Sequence, residues 1–565
     1  MKYTLTFILF IIVLNSKGQN HSYLKKEGTA TQLMVNDEPF IILGGELGNS
    51  SASSVKDIEL IFPKLKKMEL NTVLVPAYWD MIEPEENKFD FELTDKILQE
   101  ARKNNLKVIF LWFGTWKNSM SCYTPLWFKK DFKKYPRAYT KNGKPMEIAS
   151  MFSENVFNAD SKAFRKWLSH IYENDKSHNT VLMIQIENEI GMLEDARDYS
   201  VEANKQFNKE VPGEFLNYLS DNRKKLHPSM LKKWESKGCK SNGSWQEVFG
   251  KDVYTDELFM AWNYAIYIEK MAKIARQVYN VPLYVNAAMN SRSRKPGEYP
   301  SAGPLAHLID IWHCAAPNID FIAPDLYDNG FVDWVSKYKL NNNPLFIPEL
   351  KLSDNDGVRA FYVIGEHDAI GISPFSIEDY GDNSNLPLVK GYAKLNEIMP
   401  IVIKSQGKGI MRGMLFDKDN QETTIINDDI KITGRHFFTL PWDSRSTDGS
   451  EWAEGGGLLI KFNKYEYILS GKGIVIEFKD ITENSVKKEL GEDGFVNNGN
   501  NNDEIYKWNG KKRIGIGEVN EIEVDKDGEF KIVRKLNGDQ THQGRHVRIG
   551  VDEFKTLYVK LYEYK

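Results

Sequence analysis

The chain has 565 residues, of which 41% are hydrophobic and 27% are charged, a composition typical of globular proteins rather than disordered or fibrous ones. This length predicts more than one domain and allows a large buried core. The net charge of -5 comes from 74 basic and 79 acidic residues without long runs of one sign, which excludes a surface built for nucleic acid or for a membrane.

The N-terminal residues have the pattern of a signal peptide. Lys2 precedes an apolar run from Leu5 to Leu14, and a polar stretch ending at Gln19 follows. We therefore expect residues 1–19 to be cleaved and the protein to be periplasmic or secreted. The run is too short to span a bilayer, and no cysteine follows that could carry a lipid, so we expect no membrane anchor.

From residue 20 to residue 395, short apolar runs alternate with stretches of helical periodicity. Eight such runs separated by helices predict an α/β fold, a closed (β/α)₈ TIM barrel rather than an open doubly wound sheet, because no GxGxxG opens a helix after the first run. The predicted strands are Phe40–Gly44, Thr72–Pro76, Lys107–Trp112, Val181–Ile186, Leu283–Asn286, Phe321–Pro324, Leu345–Pro348 and Ile370–Pro374.

A long segment separates the fourth and fifth predicted strands and suggests a helical insertion around residues 205–250. Such an insertion either shapes the substrate cleft or covers a helix, and both alternatives stay open. Residues 396–565 change to short alternating runs with Asp, Asn and Gly turns, which predicts a C-terminal β-sandwich domain. The clearest runs are Gly457–Phe462, Tyr467–Leu469 and Gly473–Phe478, and the polar tract 497–503 is expected to be an exposed loop.

The sequence predicts neither a metal nor a cofactor. None of the ten histidines forms an HExxH motif or a close cluster. The three cysteines, Cys122, Cys239 and Cys314, are isolated, which argues against a zinc site and allows one disulfide at most. We expect them to be buried free thiols.

Two glutamates follow apolar strands at positions where barrel enzymes carry catalytic groups. Glu189 ends the fourth strand in the run Gln-Ile-Glu-Asn-Glu-Ile-Gly, and Glu349 ends the seventh in Pro-Leu-Phe-Ile-Pro-Glu-Leu. Glu189 could protonate a leaving oxygen, and Asn188 could bind a sugar 2-hydroxyl. The alternatives are a solvated acidic turn for Glu189 and an ordinary strand end for Glu349. Two carboxylates over one barrel mouth favour glycoside hydrolysis by double displacement.

The run from Gln185 to Gly191 resembles glycoside hydrolase family 35, the β-galactosidases, with family 42 as a close relative. The segment from Leu70 to Phe91, with Trp79 and a Glu-Pro pair, supports this resemblance over roughly residues 30 to 390. It implies a retaining exo-β-glycosidase with Glu189 as acid/base and Glu349 as nucleophile. The β-rich tail is similar to the small C-terminal domain of a bacterial subgroup, some members of which act on xyloglucan side chains.

Further sugar contacts are nominated from strand ends: Glu46 after the first strand, and Trp116, Lys117 and Asn118 after the third. Core packing is the alternative for Trp116, and a surface salt bridge is the alternative for Lys117. These two strand ends, and Ile190 where Tyr is commoner, depart from the better-known family members. Substrate preference is therefore less determined than mechanism.

Three aromatic residues complete the predicted site. Tyr327 ends the sixth strand and resembles the tyrosine that hydrogen-bonds the nucleophile in this clan. Phe375 ends the eighth strand, where an aromatic platform under the sugar is expected, and Trp79 is a further candidate. Core packing is the alternative for Phe375 and Trp79.

The predicted activity is the release of terminal β-D-galactose from a plant-type oligosaccharide or polysaccharide, so the expected partner is a carbohydrate substrate. A β-glucosidase or an α-L-arabinopyranosidase is the alternative within enzymes. A non-catalytic carbohydrate-binding barrel is the alternative outside them, and the presence of both glutamates counts against it. The oligomeric state and the role of the β-domain stay open.

Overall fold

The computed structural model describes residues 21–290, 293–440, 442–483 and 510–565. The predicted signal peptide and the polar tract 497–503 therefore lie outside the described residues. The strands in chain order are β1 (Tyr23–Glu27), β2 (Ala30–Val35), β3 (Glu38–Phe40), β4 (Ile42–Glu46), β5 (Thr72–Tyr78), β6 (Lys107–Lys117), β7 (Arg137–Tyr139), β8 (Pro145–Ala149), β9 (Val181–Asn188), β10 (Leu283–Ala288), β11 (Phe321–Leu326), β12 (Phe346–Leu350), β13 (Gly371–Pro374), β14 (Met411–Phe416), β15 (Glu422–Asn427), β16 (Ile430–His436), β17 (Gly455–Asn463), β18 (Glu466–Lys472), β19 (Ile474–Asp480), β20 (Arg513–Val524), β21 (Phe530–Lys535), β22 (Val547–Ile549) and β23 (Lys555–Tyr564).

The helices alternate with these strands through the first two thirds of the chain. They are α1 (Val55–Lys67), α2 (Trp79–Ile82), α3 (Glu92–Lys103), α4 (Leu126–Lys130), α5 (Glu154–Asp175), α6 (Val201–Phe207), α7 (Gly213–Asp221), α8 (Pro228–Glu235), α9 (Trp245–Phe249), α10 (Val253–Val278), α11 (Ile309–Ala315), α12 (Phe331–Tyr338), α13 (Asp356–His367) and α14 (Pro387–Ser405). Among the described residues, no helix is both long and apolar enough to cross a membrane.

Eight parallel strands close into a barrel in the order β4, β5, β6, β9, β10, β11, β12, β13. Their residues are almost all buried, as expected when helices cover one face and the barrel interior fills the other. The predicted α/β barrel is confirmed. Several strands run further than predicted, so that Asn188, Glu349 and Lys117 are strand residues rather than loop residues.

Helices α6 to α9 lie between β9 and the long helix α10, in the segment that the sequence assigns to a helical insertion. Their apolar side chains join the main core, as Phe215 and Trp245 show by being buried near each other with ring centroids 6.4 Å apart. A capping box between Ser244 and Glu247 begins α9. Before the barrel, β1 to β3 form a small antiparallel sheet.

The C-terminal residues form two antiparallel sheets, one of six strands in the order β14-β17-β18-β23-β20-β21 and one of four in the order β15-β16-β19-β22. Their facing side chains make a separate core, in which Leu459 and Leu469 of the first sheet meet Ile432 and Ile476 of the second. This matches the predicted β-sandwich after the barrel.

Strands β17 and β18 of the six-stranded sheet are buried on both faces over most of their length. Leu458, Ile460 and Ile468 alternate with the sandwich residues along β17 and β18 and belong to the core of the barrel domain. On the barrel side, Gly365 of α13 approaches this sheet so closely that a Cβ there would lie 2.7 Å from the Leu458 side chain. The sandwich is therefore packed directly on the barrel helix that follows β12.

All three cysteines are free, but the expectation that they are buried is wrong, because none of them is fully buried. Cys239 and Cys314 are partly buried, whereas Cys122 is exposed. Cys122 lies in the loop between β6 and α4.

Candidate active site

Glu189 follows directly after β9, where the backbone has an unusual conformation. Glu187 and Glu189 both adopt left-handed conformations, with φ of 59° and 44°. Such conformations are uncommon for residues with a side chain and persist where the surroundings hold them. The backbone N–H of Glu189 donates to Oδ1 of Asn286 at 2.9 Å, which fixes the turn from the side of β10.

The end of β6 holds Glu189 from the other side. Asn118 and Ser119 are also left-handed, with φ of 49° and 64°. Their backbone N–H groups donate to the carbonyl oxygens of Asn188 at 3.2 Å and of Glu189 at 3.1 Å. The side-chain amide of Asn118 donates to Oε2 of Glu189. Asn118, predicted as a sugar contact, is thus a direct partner of the Glu189 carboxyl group.

Glu349 lies on β12, in register with Asp325 on β11. The hydroxyl of Tyr327, just beyond β11, donates to Oε1 of Glu349. One oxygen each of Glu189, Asp325 and Glu349 lies within 4.8 Å of the others. Among the described residues, these three carboxylates form the one group that is close enough to hold a metal ion. The same spacing brings the two predicted catalytic glutamates together over the barrel mouth.

The protonation of this cluster follows from burial and mutual repulsion. Burial, and then the negative charge of Glu349, raise the pKa of Glu189 to about 7, against the opposing charge of Lys117. Burial and the charge of Glu349 also raise the pKa of Asp325 and of Glu46 well above the usual range for carboxyls. Burial is the largest cause of each of these raised pKa values, and the charge of Glu349 is the second.

Two residues of the site were not predicted, Asn286 and Asp325. The amide of Asn286 accepts from the backbone N–H of Glu189 and donates from Nδ2 to Oδ2 of Asp325 at 2.7 Å, so it links the backbone of Glu189 to the carboxyl group of Asp325. Both side chains are buried, and Oδ1 of Asp325 has no hydrogen-bond partner. A polar residue at the end of a predicted barrel strand was the signal that could have identified them.

Lys117 and Asn188 form a buried polar pair beside Glu189. Lys117 Nζ donates to Oδ1 of Asn188 at 2.9 Å and lies 5.0 Å from the centroid of the Phe113 ring. Lys117 is only 3% exposed, so the alternative of a surface salt bridge is wrong. Nδ2 of Asn188 is buried without a partner. A sugar hydroxyl at this place would satisfy that donor.

Glu46, at the end of β4, is completely buried, and neither of its carboxyl oxygens has a hydrogen-bond partner. Its backbone is bridged to that of Phe375, beyond the end of β13. The charge of Glu349 acts on it, which places the two carboxyl groups near each other. A buried carboxyl with two free oxygens is expected to bind a polar group of a ligand.

Tyr327 and Phe375 stand beside each other at the mouth. Their ring centroids are 6.4 Å apart with the planes at 68°, an edge-to-face arrangement. Tyr327 is 42% exposed, and Phe375 is partly buried. The two aromatic rings therefore face the region where a sugar would enter.

Trp79 packs among other aromatic residues and does not contact the cluster of carboxylates. Its ring is fully buried against Trp127 and Phe128, with centroids 6.2 and 5.2 Å away. Its Nε1 donates to Oε2 of Glu83 at 3.1 Å. The nomination of Trp79 as a sugar contact is therefore not supported, because Trp79 begins helix α2 and its ring packs with the residues of α4.

Trp116 is also completely buried, with its ring edge-to-face against Tyr264 and Tyr267 of α10 at 5.4 and 4.8 Å. Since α10 lies outside the barrel, the ring points away from the mouth. Packing, the alternative to a sugar contact, is what these contacts favour. The backbone N–H of Trp116 donates to Oε2 of Glu187 at 2.7 Å, so Glu187 supports β6 rather than the cleft.

In chemical terms, the site combines a buried acid of near-neutral pKa with a second carboxylate a few ångström away. Retaining glycosidases carry their two carboxyl groups about 5 to 5.5 Å apart, whereas inverting ones leave about 6.5 to 9.5 Å for a water molecule. The separation of 4.8 Å or less between oxygens of Glu189 and Glu349 fits the shorter arrangement.

The solved structures that match this chain have low sequence identity and low structural similarity to it. The crystal structure of a cold-adapted β-galactosidase from Rahnella sp. R3 has a TM-score of 0.43 and 15% identity, over 65% of this chain and 57% of that one. A β-galactosidase from Bacillus circulans sp. alkalophilus gives 0.43 and 14%, over 64% and 56%. The chain thus spans less than two thirds of the length of these proteins. No curated protein matches it.

Two family models match the sequence. Residues 388–548 match a domain of unknown function, DUF5597, which covers most of the sandwich. Residues 51–253 match glycoside hydrolase family 42, described as Beta-galactosidase. This is the relative named beside family 35 in the sequence analysis, and family 35 itself gains no support. Residues 51–253 are therefore similar to the glycoside hydrolases of family 42.

Proposed function

We propose that the protein is a retaining exo-β-glycosidase with Glu349 as nucleophile and Glu189 as acid/base. The observation that carries the proposal is the proximity of the two carboxyl groups, with oxygens within 4.8 Å of each other at the mouth of the barrel. The presence of both groups counts against a non-catalytic carbohydrate-binding barrel.

In the first step, a carboxylate oxygen of Glu349 attacks the anomeric carbon. Oε1 accepts from Tyr327, whereas Oε2 is buried without a partner, so Oε2 is the oxygen left for attack. The glycosidic C–O bond breaks, and the proton of Glu189 moves to the leaving oxygen. A pKa of about 7 keeps a substantial share of Glu189 protonated near neutral pH.

In the second step, the Glu189 carboxylate takes a proton from water, and the water oxygen attacks the anomeric carbon. The ester bond to Glu349 breaks, which restores both side chains and gives a product of retained configuration. The raised pKa values of Glu46 and Asp325 favour their protonated forms, which reduces the number of negative charges around the two catalytic carboxyls.

For the sugar, we propose terminal β-D-galactose, released from plant-type oligosaccharides or polysaccharides such as the side chains of xyloglucan. The match of the barrel to the family 42 model supports galactose. The free Nδ2 of Asn188 supports a contact to the 2-hydroxyl, whose hydrogen bonds strengthen in the transition state. The pattern of residues 1–19 supports secretion to the periplasm or the medium.

A panel of nitrophenyl glycosides tests this function. We expect turnover of the β-galactoside above the β-glucoside and the α-L-arabinopyranoside, with the β-anomer of galactose released first in the NMR spectrum. Preference for another glycone would overturn the choice of sugar. Initial release of the α-anomer would overturn the retaining mechanism, and no turnover of any glycoside would overturn the activity.

A further inference from the structure

A second cluster of polar and aromatic residues lies in the β-sandwich, on the segments 437–454 and 538–552. The Trp442 ring has the His542 ring 5.0 Å and the His546 ring 5.9 Å away, and Arg548 Cζ lies 4.5 Å from its centroid. Trp442 remains 40% exposed, which is unusual for so large a ring. We call these residues, together with Arg545, the Trp442 cluster.

The cluster contains buried hydrogen-bonding atoms that the protein does not satisfy. His546 is only 2% exposed, and its Nε2 has no hydrogen-bond partner. Nη1 of Arg545, one residue away, is also buried without a partner. Buried polar groups in native proteins are almost always hydrogen-bonded, so two adjacent exceptions indicate a place for a polar ligand.

The charge around His546 is positive. Burial, and then the charges of Arg435, Arg548, His542 and Arg545, lower the pKa of His546 to about 3. The imidazole is therefore neutral at pH 7, and Nε2 can donate to or accept from a ligand. Three carboxylates of the described residues at this end of the sandwich pair with other arginines: Asp443 and Asp552 with Arg445, and Glu477 with Arg435.

We propose that the Trp442 cluster binds an anionic sugar residue, one that carries a carboxylate or a sulfate. Arg545 Nη1 would donate to the anionic group, His546 Nε2 would bond to the same group or to a ring hydroxyl, and the exposed part of Trp442 would cover an apolar face of the sugar. Aromatic rings combined with a few convergent polar donors are the usual lining of small-ligand sites.

The segment that carries Trp442 also contacts the barrel. The carboxylate of Glu454, at the end of segment 437–454, binds Arg359 of α13 at 2.6 and 2.8 Å. Its backbone N–H donates to Oδ1 of Asn355 at 3.1 Å, in the loop that follows the strand of Glu349. The segment 437–454 is thus anchored at its end to the loop that follows the strand of Glu349.

The test is calorimetric titration of the full chain carrying Glu349→Gln, which prevents turnover. The probes are digalacturonate, galactose 6-sulfate, neutral digalactose and inorganic sulfate. Arg545→Gln should weaken binding of the acidic sugars by about tenfold or more, because a charge-assisted hydrogen bond is lost. Arg534→Gln, a matched change on the exposed strand β21, should leave binding unchanged.

The two acidic probes distinguish a uronate from a sulfated sugar. If neither binds more tightly than digalactose, the proposal is overturned. If inorganic sulfate binds as tightly as galactose 6-sulfate, the site is an ion site and the sugar contact is wrong. Trp442→Ala changes an exposed side chain and keeps the test independent of folding at His546. This substitution should weaken the binding of the acidic sugars and leave the binding of inorganic sulfate unchanged. An unchanged affinity for the sugars would also refute the proposal.

The Arg545→Gln variant with native Glu349 should hydrolyse an aryl glycoside at the same rate as the unsubstituted protein. A parallel loss of hydrolysis and binding would mean that Arg545 only supports the fold. These outcomes do not bear on the proposed activity of the barrel, because only the hydrolysis of aryl glycosides tests that activity.

Discussion

The hydroxyl of Tyr327 donates a hydrogen bond to Oε1 of Glu349. The two residues belong to the ends of adjacent strands, β11 and β12, whose backbones are in register at Asp325 and Glu349. The contact occupies one carboxyl oxygen and leaves the other, Oε2, without a partner. In the proposed mechanism it would both orient the nucleophile and leave Oε2 as the attacking oxygen.

Replacing Tyr327 by Phe should lower kcat by about 10- to 100-fold, since a hydrogen bond to a charged group contributes ~1.5–3 kcal/mol. We expect KM to change little, because the ring and its position beside Phe375 are kept. Steady-state kinetics on an aryl glycoside measure both. Tyr465→Phe, which removes an exposed hydroxyl that binds Glu563, is the matched control and should have no effect. Equal rates in the two variants would refute the role of Tyr327.

The roles of the two glutamates should be separable by azide rescue. Glu349→Gly should lose turnover but accept azide in the vacated space and give an α-glycosyl azide. Glu189→Ala should still form the covalent intermediate from an activated aryl glycoside and release a β-glycosyl azide. The configurations are read by NMR. Exchanged configurations would reverse the roles assigned to Glu189 and Glu349. Full activity in both variants would show that the active site is not at the barrel mouth.

The pH dependence of kcat/KM should have an alkaline limb near pH 7, where Glu189 loses the proton it needs as an acid. Lys117 lowers the pKa of Glu189, so Lys117→Met should raise that pKa and move the limb to higher pH. The shift is distinct from any loss of kcat through the Asn188 contact. Lys130→Met, an exposed change at the end of α4, should leave the limb in place, and an unmoved limb in Lys117→Met would contradict the prediction.

Asn286→Ala should impair both the site and the fold. It removes the partner of the Glu189 backbone and of Asp325, so we expect kcat to fall by about 100-fold as the acid loses its position. Leaving buried groups unpaired should also cost about 2 kcal/mol in the free energy of unfolding. Kinetics and chemical denaturation measure the two effects. Asn396→Ala, on α14 and bonded to the Glu69 backbone, should leave kcat unaltered; a loss there too would point to a general effect on the barrel.

The barrel and the position of its two glutamates follow from the sequence because both depend on local pattern. Apolar runs long enough for buried parallel strands recur eight times, and an acidic residue after such a run must lie at the catalytic end of a barrel. The partner of Glu349, Tyr327, follows from the same rule. Trp79 and Trp116 show where the rule fails, because residue type and strand end alone do not tell which way a ring points.

The sequence by itself determined the fold class, the order of the strands and the two carboxylates. Only the tertiary structure decided that Asn286 joins Glu189 to Asp325, that Lys117 is buried against Asn188, and that burial is the main cause of the raised pKa of Glu189. These features depend on which side chains from separate strands converge and on how much water they exclude. Neither quantity is a property of any one segment, so both appear only when the eight strands close.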